Sequence, residues 1–210
     1  MVKIKICGIT NLKDALAAAA FGADALGFIF AESPRRVTPE AARAIIAELP
    51  PFITKVGVFV NRPINEIRRV MDISGVDIAQ LHGGERPEDC AALFPKVIKA
   101  FTPNTIPPLE ELRRYRVAAF LIDWEKGPNK SSPEDIWPIA REVSAYGKVI
   151  LAGGLAPENV SKAIEIAQPY AVDISSGIEE SPGKKDHRKM REFIEAIRAK
   201  HSEHRNAPPL

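Results

Sequence analysis

Cysteine is nearly absent from this chain: two residues, Cys7 and Cys90, in 210. Two thiols without a Cys-x-x-Cys pair exclude a disulfide framework and a zinc signature, and point to reduced thiols in a cytosolic protein. An excess of one charge is lacking too. Lys and Arg number 29 against 27 Asp and Glu, a net of +2, so the basic stripe of a nucleic-acid binder is not expected. The one dense basic cluster, Lys184-Lys185-Asp186-His187-Arg188-Lys189, is broken by an acid and reads as a solvated face opening a helix. No apolar run approaches the ~20 residues of a membrane span. Met1-Val2-Lys3-Ile4-Lys5 runs straight into strand-like sequence, without the pattern of a signal peptide. The expected setting is therefore cytoplasmic, with no membrane and no nucleic-acid partner. Also missing is the Gly-x-Gly-x-x-Gly that follows the first strand of an open dinucleotide-binding sheet; Cys7-Gly8-Ile9-Thr10 stands there instead.

What is present is an alternation. Short apolar, β-branched runs (3–7, 25–30, 53–60, 77–81, 97–100, 118–122, 149–151 and 171–174) are separated by amphipathic stretches such as 12–20, 39–49, 64–71, 133–143, 157–167 and 185–200. The strand-then-helix unit recurs about every 25 residues, which means parallel strands with right-handed crossovers. Eight units in a chain that is 45% hydrophobic predict a single α/β domain, a closed (β/α)8 TIM barrel over 1–200, near the lower size limit of ~200 residues for that fold. Helix starts support the phasing: Thr10 or Asn11, Thr38-Pro39-Glu40 and Ser132-Pro133-Glu134 place a capping side chain before the first turn. Residues 201–210 are polar and proline-rich, and a frayed tail is expected there.

A barrel places its chemistry at the C-terminal ends of its strands. Cys7 closes the first strand. Such a cysteine is either an inert buried side chain or, with a cationic or hydrogen-bonding neighbour, a base or nucleophile. Asp123 closes the sixth strand, where it is a cap, an ion-pair partner, or a carboxyl whose pKa an apolar mouth raises into the range of a general acid. Gly153-Gly154 and Ser175-Ser176-Gly177 follow the last two strands. In this fold those loops bind phosphate, and small residues let backbone N–H groups approach an anion; tight turns are the other reading. Strand alternation adds a prediction. If Cys7 points inward, so does Lys5, while Ile4 and Ile6 face the helices. If Ser175 points inward, so does Asp173 on the neighbouring strand. A buried Lys5–Asp173 ion pair should then lie below the mouth, because an unpaired buried charge is very costly; the alternative is a lysine snorkelling out of the barrel end.

These residues fall into blocks that resemble one family. Lys5-Ile6-Cys7-Gly8-Ile9-Thr10, Gly27-Phe28-Ile29-Phe30, Ser33-Pro34-Arg35-Arg36, Val56-Gly57-Val58-Phe59-Val60-Asn61, Gln80-Leu81-His82-Gly83, Gly153-Gly154-Leu155-Ala156-Pro157-Glu158-Asn159 and Asp173-Ile174-Ser175-Ser176-Gly177 are similar, in order, to the motifs of phosphoribosylanthranilate isomerases of tryptophan biosynthesis. The resemblance implies an Amadori rearrangement of N-(5-phosphoribosyl)anthranilate with no metal or organic cofactor, in a monomer or homodimer. It implies Cys7 as general base and Asp123 as general acid, with Arg36 on the anthranilate carboxylate, where a guanidinium fork suits the planar group. It implies Gly153, Gly154, Ser176 and Gly177 on the phosphate. His82 is expected to line the pocket or to be structural, and Arg36 has a solvated loop charge as its other reading. One block departs from the family. After the sixth strand the family carries a glycine-rich loop, whereas residues 124–137 here keep only Gly127, so a stiffer lid is expected. Two other readings stay open: a related phosphosugar barrel of the histidine pathway or an indole-glycerol-phosphate synthase, and a barrel that binds a phosphorylated ligand without turnover.

Overall fold

A computed structural model describes residues 1–124 and 132–205. Eight parallel strands close into a barrel in chain order: β1 (Lys3–Ile6), β2 (Ala25–Ile29), β3 (Thr54–Phe59), β4 (Ile78–Leu81), β5 (Val97–Phe101), β6 (Ala119–Ile122), β7 (Val149–Leu151) and β8 (Ala171–Ile174). Closure is made by β1 against β8, with Lys5 opposite Asp173 and Ile6 opposite Ile174. Among the described residues seven α-helices pack outside: α1 (Leu12–Phe21), α2 (Pro39–Ala47), α3 (Ile64–Ser74), α4 (Pro87–Leu93), α5 (Ile136–Val143), α6 (Val160–Ala167) and α7 (His187–Arg205). No helix among the described residues is long and apolar enough to cross a membrane.

The period of two in each strand divides the apolar residues between two cores. Ile4, Ile6, Leu26, Phe28, Phe59 and Leu81 face outward and pack with helix residues such as Ala15, Ala18, Trp137, Met190 and Phe193. Val56, Ile98, Ala100, Ala119, Leu121, Ile150, Ala152 and Ala171 fill the barrel interior. The predicted facing of Ile4 and Ile6 is thus borne out. Helix starts follow the capping logic as well. Asn11 accepts from the Asp14 N–H at 2.9 Å, and Thr38 from the Ala41 N–H at 3.1 Å; each satisfies a donor the helix cannot use internally.

Three features differ from the alternation read in the sequence. The fifth unit has no α-helix; a single 3-10 segment, Leu109–Arg114, bridges β5 to β6. A two-stranded hairpin, β9 (Glu179–Ser181) with β10 (Lys184–Lys185), stands between β8 and α7. The basic cluster is not simply a solvated face. Lys184 and Arg188 are exposed, but the Lys185 side chain is fully buried and ion-paired to Glu179 at 2.9 Å.

Candidate active site

The strand ends and the loops beyond them surround a cavity of about 370 Å³. Cys7, His82, Asp123, Gly153, Gly154, Ser176 and Gly177 all line it, together with Arg35, Gln80, Trp124 and Asp173. Cys7 is held at the end of β1 by its backbone N–H to the Ile174 carbonyl at 2.8 Å. Its sulfur sits against β2, and the space exists because residue 27 has no side chain: a Cβ on Gly27 would lie 2.6 Å from Cys7 Sγ. Asp123 is fixed across the barrel by its N–H to the Phe101 carbonyl at 2.9 Å.

His82 connects β4 to that carboxylate. Its Nε2 is 3.4 Å from Asp123 Oδ2, and Gln80 Nε2 is 3.2 Å from its Nδ1. A Gln80 amide donating to Nδ1 leaves the ring proton on Nε2, directed at Asp123. The ring is neutral: burial, reinforced by the positive charges of Lys5 and Lys99 and opposed by Glu85, pulls it down from 6.5 to about 4. Beneath Gly83, buried Lys99 and Glu85 pair at 3.0 Å, and Glu85 also accepts the N–H groups of Asn61 and Gly83 at 2.8 Å each.

The predicted ion pair is present. Lys5 Nζ donates to Asp173 Oδ2 at 2.7 Å, with side-chain exposures of 3% and 8%. Burial favours neutral Lys5, but Asp173 and Cys7 more than offset it and hold the amine in its charged form. The other Asp173 oxygen, Oδ1, is buried without a hydrogen-bond partner among the described residues. A second charged group borders the cavity beside Gly8. Glu179 accepts from Arg35 Nε at 2.8 Å and from its Nη2 at 2.6 Å, and from Lys185 Nζ at 2.9 Å. Burial pushes the Cys7 thiol up; Lys5 and Lys185 oppose this, and Asp173 adds to it.

Between Cys7 and Asp123 on the rim of the mouth, the two glycine-bearing loops interlock. Gly153 and Gly154 adopt φ +77° and +64°, which a residue with a Cβ rarely adopts. A Cβ at Gly177 would collide with the Leu155 carbonyl oxygen. The Asn159 amide ties the turn before α6, donating to the Gly154 carbonyl at 2.9 Å. The outcome is a concave backbone surface at the ends of β7 and β8, where small residues leave room for an anion.

Arg36 is the one anticipated site residue that lies outside this cavity. Its backbone bridges to Ile29, and its side chain pairs with Glu32 at 3.4 Å on an exposed surface. It lines a separate cavity of about 230 Å³ with Phe30, Val37 and Phe59. Its neighbour Arg35 is the arginine that faces Cys7.

The sequence model of the family described as N-(5'phosphoribosyl)anthranilate (PRA) isomerase matches residues 4–196. This chain belongs to the phosphoribosylanthranilate isomerase family. The N-(5'-phosphoribosyl)anthranilate isomerase of Geobacter metallireducens is 51% identical over 202 residues, covering 95% of this chain and 100% of the relative. The phosphoribosyl anthranilate isomerase of Thermus thermophilus superposes with a TM-score of 0.84 at 41% identity, over 94% of this chain and 99% of the other. An isomerase of this family crystallised with reduced 1-(o-carboxyphenylamino)-1-deoxyribulose 5-phosphate superposes at 0.80 with 39% identity, over 95% and 100%. Membership sets aside the histidine-pathway and indole-glycerol-phosphate readings.

The isomerase-family reading pointed to most of the lining but did not single out Gln80 and Arg35 within it, or Glu179 and Lys185 behind Arg35. Gln80 was within reach, since it lies two positions before His82 on the same face of β4. Arg35, Glu179 and Lys185 were not, because their meeting depends on the β9–β10 hairpin. Of the stretch 124–137 that departs from the isomerase pattern, residues 125–131, Gly127 among them, lie outside the described residues.

Proposed function

We propose that this chain converts N-(5-phosphoribosyl)anthranilate to 1-(2-carboxyphenylamino)-1-deoxyribulose 5-phosphate, an aldose–ketose isomerisation of tryptophan biosynthesis. The observation that carries the reading is the convergence of Cys7, Asp123 and the β7–β8 glycine loops on one cavity. The β7–β8 end, with Gly153, Gly154, Ser176 and Gly177, holds the phosphate through backbone N–H groups. Asp123, which the neutral His82 faces at 3.4 Å, protonates the furanose ring oxygen as the ring opens to an iminium. The Cys7 thiolate removes the proton from sugar C2, and the enolamine tautomerises to the ketone. One acid and one base suffice, and each acts on its own side of the cavity. The two thiols, both unpaired, suit a reducing compartment such as the cytoplasm.

Arg36 is assigned to the anthranilate carboxylate. Its exposed pair with Glu32 is of a kind that contributes at most about 1 kcal/mol, so the long side chain can leave it for the mouth. Arg35 lies closer to Cys7 but is committed on two donors to Glu179.

Steady-state turnover of N-(5-phosphoribosyl)anthranilate tests the reading. Cys7→Ser and Asp123→Asn should each lower kcat by at least about 100-fold, in the range of a lost general acid or base, and the parent enzyme should show a bell-shaped pH–rate profile. Wild-type rates in either variant would remove that residue from its role. Binding of substrate without turnover by the parent chain would favour the ligand-binding barrel instead.

A further inference from the structure

A thiol that removes a carbon-bound proton must first lose its own, and burial works against that at Cys7. The surroundings show what opposes it. Around the sulfur stand Lys5 from β1, Lys185 from the β9–β10 hairpin, Arg35 from the loop after β2, and Asp173 from β8. From β2 the facing residue is Gly27, which has no side chain. Lys185 and Arg35 share one counter-charge, Glu179, and Lys5 has Asp173. Among the described residues the cluster therefore holds three cations and two carboxylates. Counted as ionised, these groups are one negative charge short, and a thiolate at Cys7 makes the cluster neutral.

The cations are not equivalent. Arg35 is committed to Glu179, and Lys185 is spent on Glu179 and the Ser175 carbonyl. Lys5 differs from both: it lies two residues before Cys7 on the same face of β1, and the ammonium that donates to Asp173 acts electrostatically on the thiol as well. An ammonium has three donors, so both contacts can be held together. Asp173 also keeps Lys5 from swinging away.

We propose that Lys5 is a positioning residue for Cys7: its ammonium, clamped by Asp173, holds the sulfur in the charged form that serves as base. This rests on the reading of Cys7 as the base, but its test requires no turnover. The Cys90→Ala background leaves Cys7 as the sole thiol; Cys90 is buried and its pKa is pushed up to about 12 by burial, so little signal is lost. Thiolate ultraviolet absorbance and the rate of alkylation by iodoacetamide are followed against pH in the full chain without substrate, with and without inorganic phosphate.

In Lys5→Met and Lys5→Gln the inflection should rise by about one pH unit or more, and alkylation near neutrality should slow about tenfold. Lys5→Gln keeps a donor for Asp173, and so retains the fold if Lys5→Met does not. Lys5→Arg preserves the charge and should recover most of the reactivity. Phosphate should leave the difference between parent and Lys5→Gln in place; its disappearance would mean that the excess positive charge serves the ligand and not the thiol, and would overturn the proposal. So would an inflection unmoved in folded Lys5→Gln, even with activity lost, because Lys5 would then be structural only. A shifted inflection in a chain whose parent has no isomerase activity would refute the functional reading and leave the Lys5–Cys7 linkage standing.

Discussion

His82 shows how one side chain couples the mouth to stability. In an unfolded chain it titrates near 6.5, and in the barrel burial beside Lys5 and Lys99 lowers it to about 4. Above pH 7 the ring is neutral in both states and contributes no pH dependence. As pH falls from 6.5 towards 4 the unfolded chain takes up a proton that the folded one refuses, so stability declines. At pH 5 the deficit is about 2 kcal/mol from the difference between the two pKa values. Urea unfolding at pH 7 and pH 5 reads it: the parent should lose about 2 kcal/mol more than His82→Asn across that interval. Asp14, Asp24, Glu85 and Glu179, whose pKa values are lowered, act in the opposite sense to the buried thiols but only at lower pH, below the ordinary carboxylate range. Equal losses in the two proteins would mean that His82 is charged in the folded state, and would remove the neutral donor from Asp123.

At the scale of elements, the β9–β10 hairpin is the part that binds the last unit to the first. Lys185 N–H donates to Asp14 Oδ2 of α1 at 2.9 Å, Thr10 donates to the Gly183 carbonyl at 2.5 Å, and the Glu179 carboxylate ties Arg35 to Lys185. Removing Glu179 leaves two cations together, one of them fully buried. Glu179→Ala should cost about 3–5 kcal/mol, the range for breaking a buried pair from one side, measured by denaturant unfolding. A cost below about 1 kcal/mol would mean that the cluster is solvated or that Lys185 sheds its proton readily. This element also marks where sequence reading stops. The eight strands were legible because period-two apolar runs need no knowledge of their neighbours. Cys7, His82, Asp123 and the two glycine loops followed, since a barrel fixes where strand ends lie. The Lys5–Asp173 pair followed from alternation and closure together. The hairpin has two very short strands and charged residues, and nothing in Lys184-Lys185 distinguishes the buried lysine from the exposed one. Helix α4 is short and opens on Pro-Glu-Asp, too brief for a periodic signal. Arg35 and Arg36 are adjacent and chemically alike, and only the loop's path decides which of them faces Cys7.

Across the whole molecule the two ends of the barrel are separated by purpose. The mouth collects positive-φ glycines, a buried thiol and a buried Asp173 oxygen that has no hydrogen-bond partner among the described residues, the last of these a cost to stability. The opposite end, where strands begin, carries the groups that close the ring. Arg198 on α7 donates to the Val2 carbonyl at 3.3 Å, the Gly22 carbonyl at 2.9 Å and Asp24 Oδ2 at 3.1 Å, so the last helix clasps the start of β1 and the turn between α1 and β2. Asp24 in turn holds Lys3 at 2.7 Å and the Ile4 N–H at 2.9 Å. Residues at this face of a barrel serve stability, while those at the strand ends serve chemistry. Arg198→Met keeps the apolar stem and removes the three donors' contacts. It should cost about 2 kcal/mol, as for a hydrogen-bonded charge that is partly exposed, and lower Tm by roughly 4–8 °C in a chain of this size. kcat/KM for the isomerisation should stay within about twofold of the parent at temperatures where both are folded. A loss of activity parallel to the loss of stability in still-folded protein would show that the two ends are mechanically coupled through β1, and that closure of the ring positions Cys7.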